Sequence, residues 1–202
     1  MKGQLIISIG REFGSGGHEI AQKLADQYKL PLYDHNLLDE LAGRNNLDGD
    51  VLKEFDEAGR KKLLSRTVRG MNNSPEQNVA QLQFDYLRKK ADSGESFVIV
   101  GRCSETILKG NTGLISIFVL GDMETKIERI MRLYQKSRKD AEELILEKDR
   151  KRKKYHNSHC RIKWGDSRNY DLSINSSRLG IEESVRILSQ YIDARRKMQE
   201  AQ

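Results

Sequence analysis

Leu5-Ile6-Ile7-Ser8-Ile9-Gly10-Arg11-Glu12-Phe13-Gly14-Ser15-Gly16-Gly17-His18-Glu19 is the stretch on which the reading of this chain turns. Its first part, Leu5–Ile9, is rich in Leu and Ile, as a buried parallel strand is. Glycines follow, and then Glu19–Tyr28 places Ile20, Ala21, Leu24 and Tyr28 on one helical face. Strand, glycine-rich loop and helix together are the context a phosphate-binding loop requires. Glycine lets the backbone curl until successive N–H groups point at one anion, and the helix adds the positive end of its dipole. The competing reading is a tight turn with no ligand. The strand before, the helix after and Arg11 inside the segment argue against it.

The loop departs from the pattern Gly-x-x-x-x-Gly-Lys-Ser/Thr. Aligned on Gly16, Arg11 stands at the first Gly, Gly17 at the Lys and His18 at the hydroxyl residue. The backbone cradle, Phe13-Gly14-Ser15-Gly16-Gly17-His18-Glu19, survives these changes. A lysine charge for the phosphates and a hydroxyl for Mg2+ do not. Arg11 is the nearest cation for the first role, and Glu19 or Asp34 is a candidate metal ligand, directly or through water. His18 reads as a phosphate donor or a helix cap.

Outward from the loop, Phe97–Val100, Leu114–Leu120 and Asp171–Ile174 read as further strands, with Leu32-Tyr33 a very short fifth. Ser74-Pro75-Glu76-Gln77 starts a helix carrying Val79, Leu82, Phe84 and Leu87. Asp122 caps a helix through Tyr134, Ser137 with Asp140 caps another, and Gly180 precedes a last helix with Ile181, Val185, Leu188 and Ile192. This alternation predicts an α/β fold, a parallel sheet with helices on both faces. The 202 residues suit a single domain. Its core spans about 1–33, 94–146 and 169–202, with a helical substrate cap at about 34–93 and a basic lid at about 147–168.

Net charge of +6 and a pI near 9.2 favour anionic partners. Cys103 and Cys160 make no disulfide framework, and Leu5–Ile9 is too short for a signal-peptide core or a membrane span. A cytoplasmic setting without a membrane partner is the expectation.

Tyr33-Asp34 follows a strand, where open α/β sheets bind ligands. Asp34 there serves a ribose hydroxyl or a metal-bound water, or else caps the helix of Asn36–Leu41. Arg102, just past Phe97–Val100, can grip a phosphate through paired hydrogen bonds. Cys103 reads as a small buried residue. Glu147–Lys154 is dense in cations that can stabilise a transferring phosphoryl group. A nucleic-acid patch is the weaker reading, because Tyr155 is the only aromatic nearby. His156, His159 and Cys160 lie within five residues but lack a fourth partner at zinc spacing. Trp164, the only tryptophan, reads as an anchor for the lid's return to the core.

Gly10 to Ala21, followed by Leu30-Pro31-Leu32-Tyr33-Asp34, resembles the bacterial cytidylate kinase-like family, which carries this lysine-less loop and is distinct from the true cytidylate kinases. Ile99-Val100-Gly101-Arg102-Cys103, Asp149-Arg150-Lys151-Arg152 with Tyr155, and Trp164-Gly165-Asp166 with Asn169-Tyr170-Asp171-Leu172 extend the resemblance over about residues 4–193. It implies a P-loop kinase fold with five parallel strands, ATP as donor, Mg2+, and a nucleoside monophosphate acceptor, CMP or dCMP. It places Arg102 on the acceptor phosphate and Arg152, with Arg150 second, as the lid arginine. The true cytidylate kinases have Asp after Gly-Arg where this chain has Cys103, which removes a contact to the cytosine amino group. Three alternatives stay open: a nucleotide-binding protein with little kinase activity, a kinase of another small acceptor, and a nucleic-acid module.

Overall fold

The computed structural model describes residues 3–34 and 75–201. Strand β1 (Ile6–Arg11) is the centre of a five-stranded sheet with β2 (Leu32–Tyr33), β3 (Phe97–Val100), β4 (Leu114–Leu120) and β5 (Leu172–Asn175). The order is β2-β3-β1-β4-β5 and every pairing is parallel, with Ile6 opposite both Phe97 and Leu114. The helices are α1 (Gly17–Tyr28), α2 (Pro75–Asp92), α3 (Ser104–Ile107), α4 (Met123–Tyr134), α5 (Arg138–His159) and α6 (Ser176–Glu200).

The strands are apolar along their length because both sheet faces are covered. Ile7, Ile9, Val98 and Ile117 pack against Ile20 and Leu24 of α1 and Leu188 and Ile192 of α6. Ile6, Phe97 and Ile99 turn the other way, onto Val79 and Leu87 of α2. Each fully buried Ile or Leu contributes about 1.5–3 kcal/mol, so these two layers hold the strands rigid. Ser8 alternates into the second face, where its hydroxyl meets that of Ser104 at 2.7 Å. Ser104 Oγ also donates to Gly101 O at 2.8 Å, which fixes the turn leaving β3.

Several boundaries differ from the sequence reading. β1 runs on to Arg11, so Arg11 belongs to the strand, not to the loop. β5 starts one residue late, because Asp171 instead turns its carboxylate to Ser116 N (2.7 Å) and Ser116 Oγ (2.8 Å) of β4. In α2, Val79, Phe84 and Leu87 are buried but Leu82 is 40% exposed. Gln83 is buried in its place, because 79, 83 and 87 fall on one stripe four residues apart. Ser176–Glu200 is interrupted at Gly180, whose φ of 76° and ψ of 172° set a short first turn apart from the main helix, so Gly180 precedes the helix of Ile181, Val185, Leu188 and Ile192 as expected, with an extra turn before it. Helix α5 is unbroken to His159, so the first part of the basic segment expected at about 147–168 is the second half of a longer helix, and the rest follows it. Its first half packs Ala141 and Ile145 on Ile127 and Ile130 of α4. The Ser137 cap is present, accepting from Asp140 N at 3.2 Å. The helix start at Ser74, the capping role of Asp34 toward Asn36–Leu41 and most of the substrate cap lie outside the described residues.

Candidate functional site

Because the sheet is parallel, the carboxyl ends of all five strands meet at one edge, and most of the candidate residues collect there. The glycine loop crosses that edge. Gly14 and Gly16 adopt φ of 83° and 77°, conformations that side chains rarely enter. A Cβ at Gly16 would also strike Ile181 Cδ1. Ser15 Oγ donates to Glu12 O at 2.9 Å, and Ser15 O accepts from Ser176 Oγ at 2.5 Å, so the loop is tied to itself and to α6. The N-cap residue of α1, Gly16, has no side chain to cap it, and only a long bond from Gly17 N to Ser15 Oγ, 3.4 Å, reaches its first turn. Its first N–H groups have no partner inside the helix and present their positive end to the loop.

His18 and Glu19 point away from a shared task. His18 Nε2 meets Asp34 Oδ2 at 2.7 Å, fastening α1 to the end of β2. Glu19 forms an ion pair with Arg129 of α4. Tyr33 is buried, edge-on to Phe97 at 5.5 Å and beneath the Lys90 ammonium at 5.0 Å. It therefore packs in the core.

Behind the loop stands a charge cluster that the sequence reading missed. Lys126 of α4 is buried and pairs with Glu12 (2.9 Å) and Asp149 (3.4 Å). Asp149 Oδ1 accepts from Phe13 N at 2.6 Å, and Glu12 Oε2 accepts from Gly121 N at 3.2 Å. Arg152 donates to Arg11 O at 3.3 Å and lies over the Phe13 ring at 5.4 Å. Burial raises the Asp149 carboxyl above its ordinary range, against the Phe13 N–H and the Lys126 charge. The signal for Lys126 was its place one turn before Ile130 on the inner face of α4. That for Asp149 was its three-residue spacing from Arg152.

Arg11, Arg102 and Arg152 converge on a cavity of about 310 Å3. Burial and the charges of Arg152 and Arg102 push the Arg11 guanidinium well below the usual arginine range, with Asp34 and Asp149 opposing. Gly101, Arg102 and Cys103 all have positive φ (78°, 61° and 56°), a run that turns Arg102 back over the sheet edge. Left-handed backbone costs roughly 1–2 kcal/mol per non-glycine residue, and such strain gathers at functional sites. A side chain at Gly101 would collide with Arg11 Nη1. Arg150 is exposed on α5 and does not line the cavity, whereas Lys148 and Lys151 do. A second cavity, of about 350 Å3, opens on the other side of the loop between Gly14, Arg129, Arg132 and Ile181.

The floor of the first cavity holds Cys103 and His156, with Cys160 close by. His156 Nε2 meets Glu105 Oε1 at 2.6 Å. Burial lowers the imidazole pKa, but hydrogen bonds to Cys160 and Glu105 outweigh it and lift it to about 10. The hydrogen bond between the thiols raises Cys103 and lowers Cys160. His159, grouped with these residues by sequence, instead packs on Phe84 and Tyr155. Trp164 stands edge-on to Phe118 of β4 at 5.4 Å, at the cavity wall.

Residues 6–178 match the cytidylate kinase-like family. The chain is similar in structure to an uncharacterised protein from Eubacterium ventriosum, at 41% identity and a TM-score of 0.75 over 94% of this chain and 99% of that one. Shikimate kinase from Acinetobacter baumannii, in complex with shikimate, has 14% identity and a TM-score of 0.54, covering 96% of this chain and 95% of its own. Shikimate kinase from Bacteroides thetaiotaomicron has 16% identity and a TM-score of 0.52, covering 94% and 98%. At these identities the two kinases share the fold. No curated protein matches the chain. The central parallel sheet, the glycine loop leading into α1 and the match across most of the chain place this protein in the cytidylate kinase-like family.

Proposed function

We propose that the protein transfers a phosphoryl group from ATP to a nucleoside monophosphate, with CMP and dCMP the preferred acceptors. The observation that carries this reading is the convergence of Arg11, Arg102 and Arg152 beside an uncapped helix N-terminus. Three guanidiniums that line one cavity repel one another, and that cost is relieved when a multiply charged anion sits among them. A phosphoryl-transfer transition state is such an anion, with charge spread over its oxygens.

The loop fits donor phosphates: two left-handed glycines and the first turn of α1 supply N–H donors. The second cavity, lined by Gly14, Ser15, Arg129 and Arg132, adjoins the loop and is the space this reading assigns to the rest of the nucleotide. Arg11 takes the place of the absent lysine from the end of β1, and Arg152 bridges the lid helix to the transferring group. Arg102 holds the acceptor phosphate. Mg2+, when bound, neutralises donor phosphate charge. Asp34, kept in place by His18, would hold it, while Glu19 is already engaged by Arg129. A coupled assay across the common nucleoside monophosphates, with ATP and Mg2+, tests the proposal. CMP and dCMP are expected to turn over fastest, and absence of turnover with every acceptor overturns it.

One observation favours a second reading, nucleotide binding with little transfer. Phe13 N–H is held by Asp149 where a lysine-bearing loop would be open to phosphate. Calorimetry showing tight ATP binding beside no transfer would select it.

A further inference from the structure

Cys103 and Cys160 are separated by more than fifty residues, yet their sulfurs and a ring nitrogen of His156 all lie within 4.8 Å of one another. Nothing in the phosphoryl-transfer reading uses them together. We propose that Cys103, His156 and Cys160 form a binding site for a thiophilic divalent metal ion of the zinc class, which fastens the C-terminal end of the lid helix α5 to the turn after β3.

The ligand set is two cysteine sulfurs and an imidazole, the donors that select zinc over magnesium or calcium, and the proton that Cys103 holds is released as the metal binds. Tetrahedral zinc needs ligand atoms about 3.5–4 Å apart, so the three groups must close by about 1 Å at most. Cys160 ends α5 and His156 lies one turn earlier, so one helix end presents both side chains to the same point. Cys103 is brought to them by its left-handed φ of 56°, a conformation held by the hydrogen bonds that Thr106 N and Ile107 N donate to Cys103 O, both 2.9 Å. Glu105 binds His156 Nε2 at 2.6 Å, the carboxylate–imidazole pairing that orients metal-bound histidines, which leaves Nδ1 as the metal ligand in exchange for its long contact with Asn157 Oδ1, 3.3 Å. Ala80, Phe84, Ile107 and Ile162 pack around the sulfurs, so water competes poorly there. Cys103 and His156 also line the cavity, so a fourth ligand, water or a group of a bound molecule, enters from that side.

The test uses the whole chain, reduced, stripped with a chelator and titrated with Co2+ and then Zn2+. Expected are one Co2+ per chain, thiolate-to-cobalt charge-transfer bands, the intense visible bands of a tetrahedral site, and their loss as Zn2+ displaces Co2+. Glu105→Gln should weaken Zn2+ binding 10–100-fold, and Cys103→Ser or Cys160→Ser more than that. His159→Ala should leave it unchanged. Absence of the charge-transfer bands in the wild-type chain overturns the proposal whatever the variants do. So does a spectrum that survives Cys103→Ser, or a Cys103–Cys160 disulfide that forms in preference to metal binding. These readouts are spectroscopic and independent of turnover, so the site stands or falls apart from the kinase reading.

Discussion

Arg11 ends β1 with its guanidinium beneath Gly101, its carbonyl bound to Arg152 and its aliphatic stem against Gly17. Both glycines are therefore required by a neighbouring side chain as much as by their own backbone. Arg11→Ala should lower kcat/KM with CMP by about 10²–10³-fold, as loss of one charge-stabilising donor does elsewhere. Gly101→Ala should reproduce much of that loss, although residue 101 need touch no substrate, because its Cβ displaces Nη1. Steady-state kinetics on both variants checks this, and an unimpaired Gly101→Ala would break the link. Lys126 has a structural consequence. Its ammonium is enclosed between Glu12 and Asp149, so Lys126→Ala takes the nearest cation from two partly buried carboxylates and leaves Glu12 with the Gly121 N–H and Asp149 with the Phe13 N–H and the more distant Arg152. Urea unfolding should show a loss of about 3 kcal/mol. Arg11 was legible from its place in the glycine segment. Lys126 was not, because a lysine among helix charges looks solvated until a second helix covers it.

At the scale of elements, α1 is joined to α6 by Tyr28, whose hydroxyl donates to Asp193 Oδ1 at 2.9 Å and Ser189 O at 3.2 Å. Burial, with the Asp193 hydrogen bond, pushes the phenol up to about 12. The folded chain thus keeps this proton where an unfolded tyrosine, near 10, gives it up. The contribution is whole below about pH 10 and fades as pH rises through about 12. Tyr28→Phe should cost about 1 kcal/mol at neutral pH and show a shallower loss of stability across that alkaline window, read by chemical denaturation at each pH. Strand positions and the Ser137–Asp140 cap were legible at this scale, because alternating strand and helix patterns and capping pairs are local signals, whereas Asp122 holds the N-cap position of α4 without a capping hydrogen bond from its side chain. The continuity of α5 was not. Its basic half resembles a solvated lid in sequence, and only the docking of Asp149, Arg152 and His156 shows that it is held to the rest.

For the molecule as a whole, the single tryptophan offers a readout. Trp164 packs on Phe118 at the wall of the cavity that α5 helps to line. Titration with ATP and CMP should change its fluorescence saturably, and Arg152→Ala should blunt the change. A signal indifferent to nucleotides would argue that the cavity is not the acceptor site. By itself the sequence determined the class of fold, the strand–loop–helix context of the glycine segment and the family, because buried parallel strands, glycine-rich turns and helix faces are written in patterns a few residues long. Only the tertiary structure decided that Arg11 closes a strand, that Glu12, Lys126, Asp149 and Arg152 form one charge cluster, and that Cys103 rather than His159 joins His156 and Cys160. Those groupings depend on which chain segments the parallel sheet brings to one edge, and spacing along the chain carries no record of that distance.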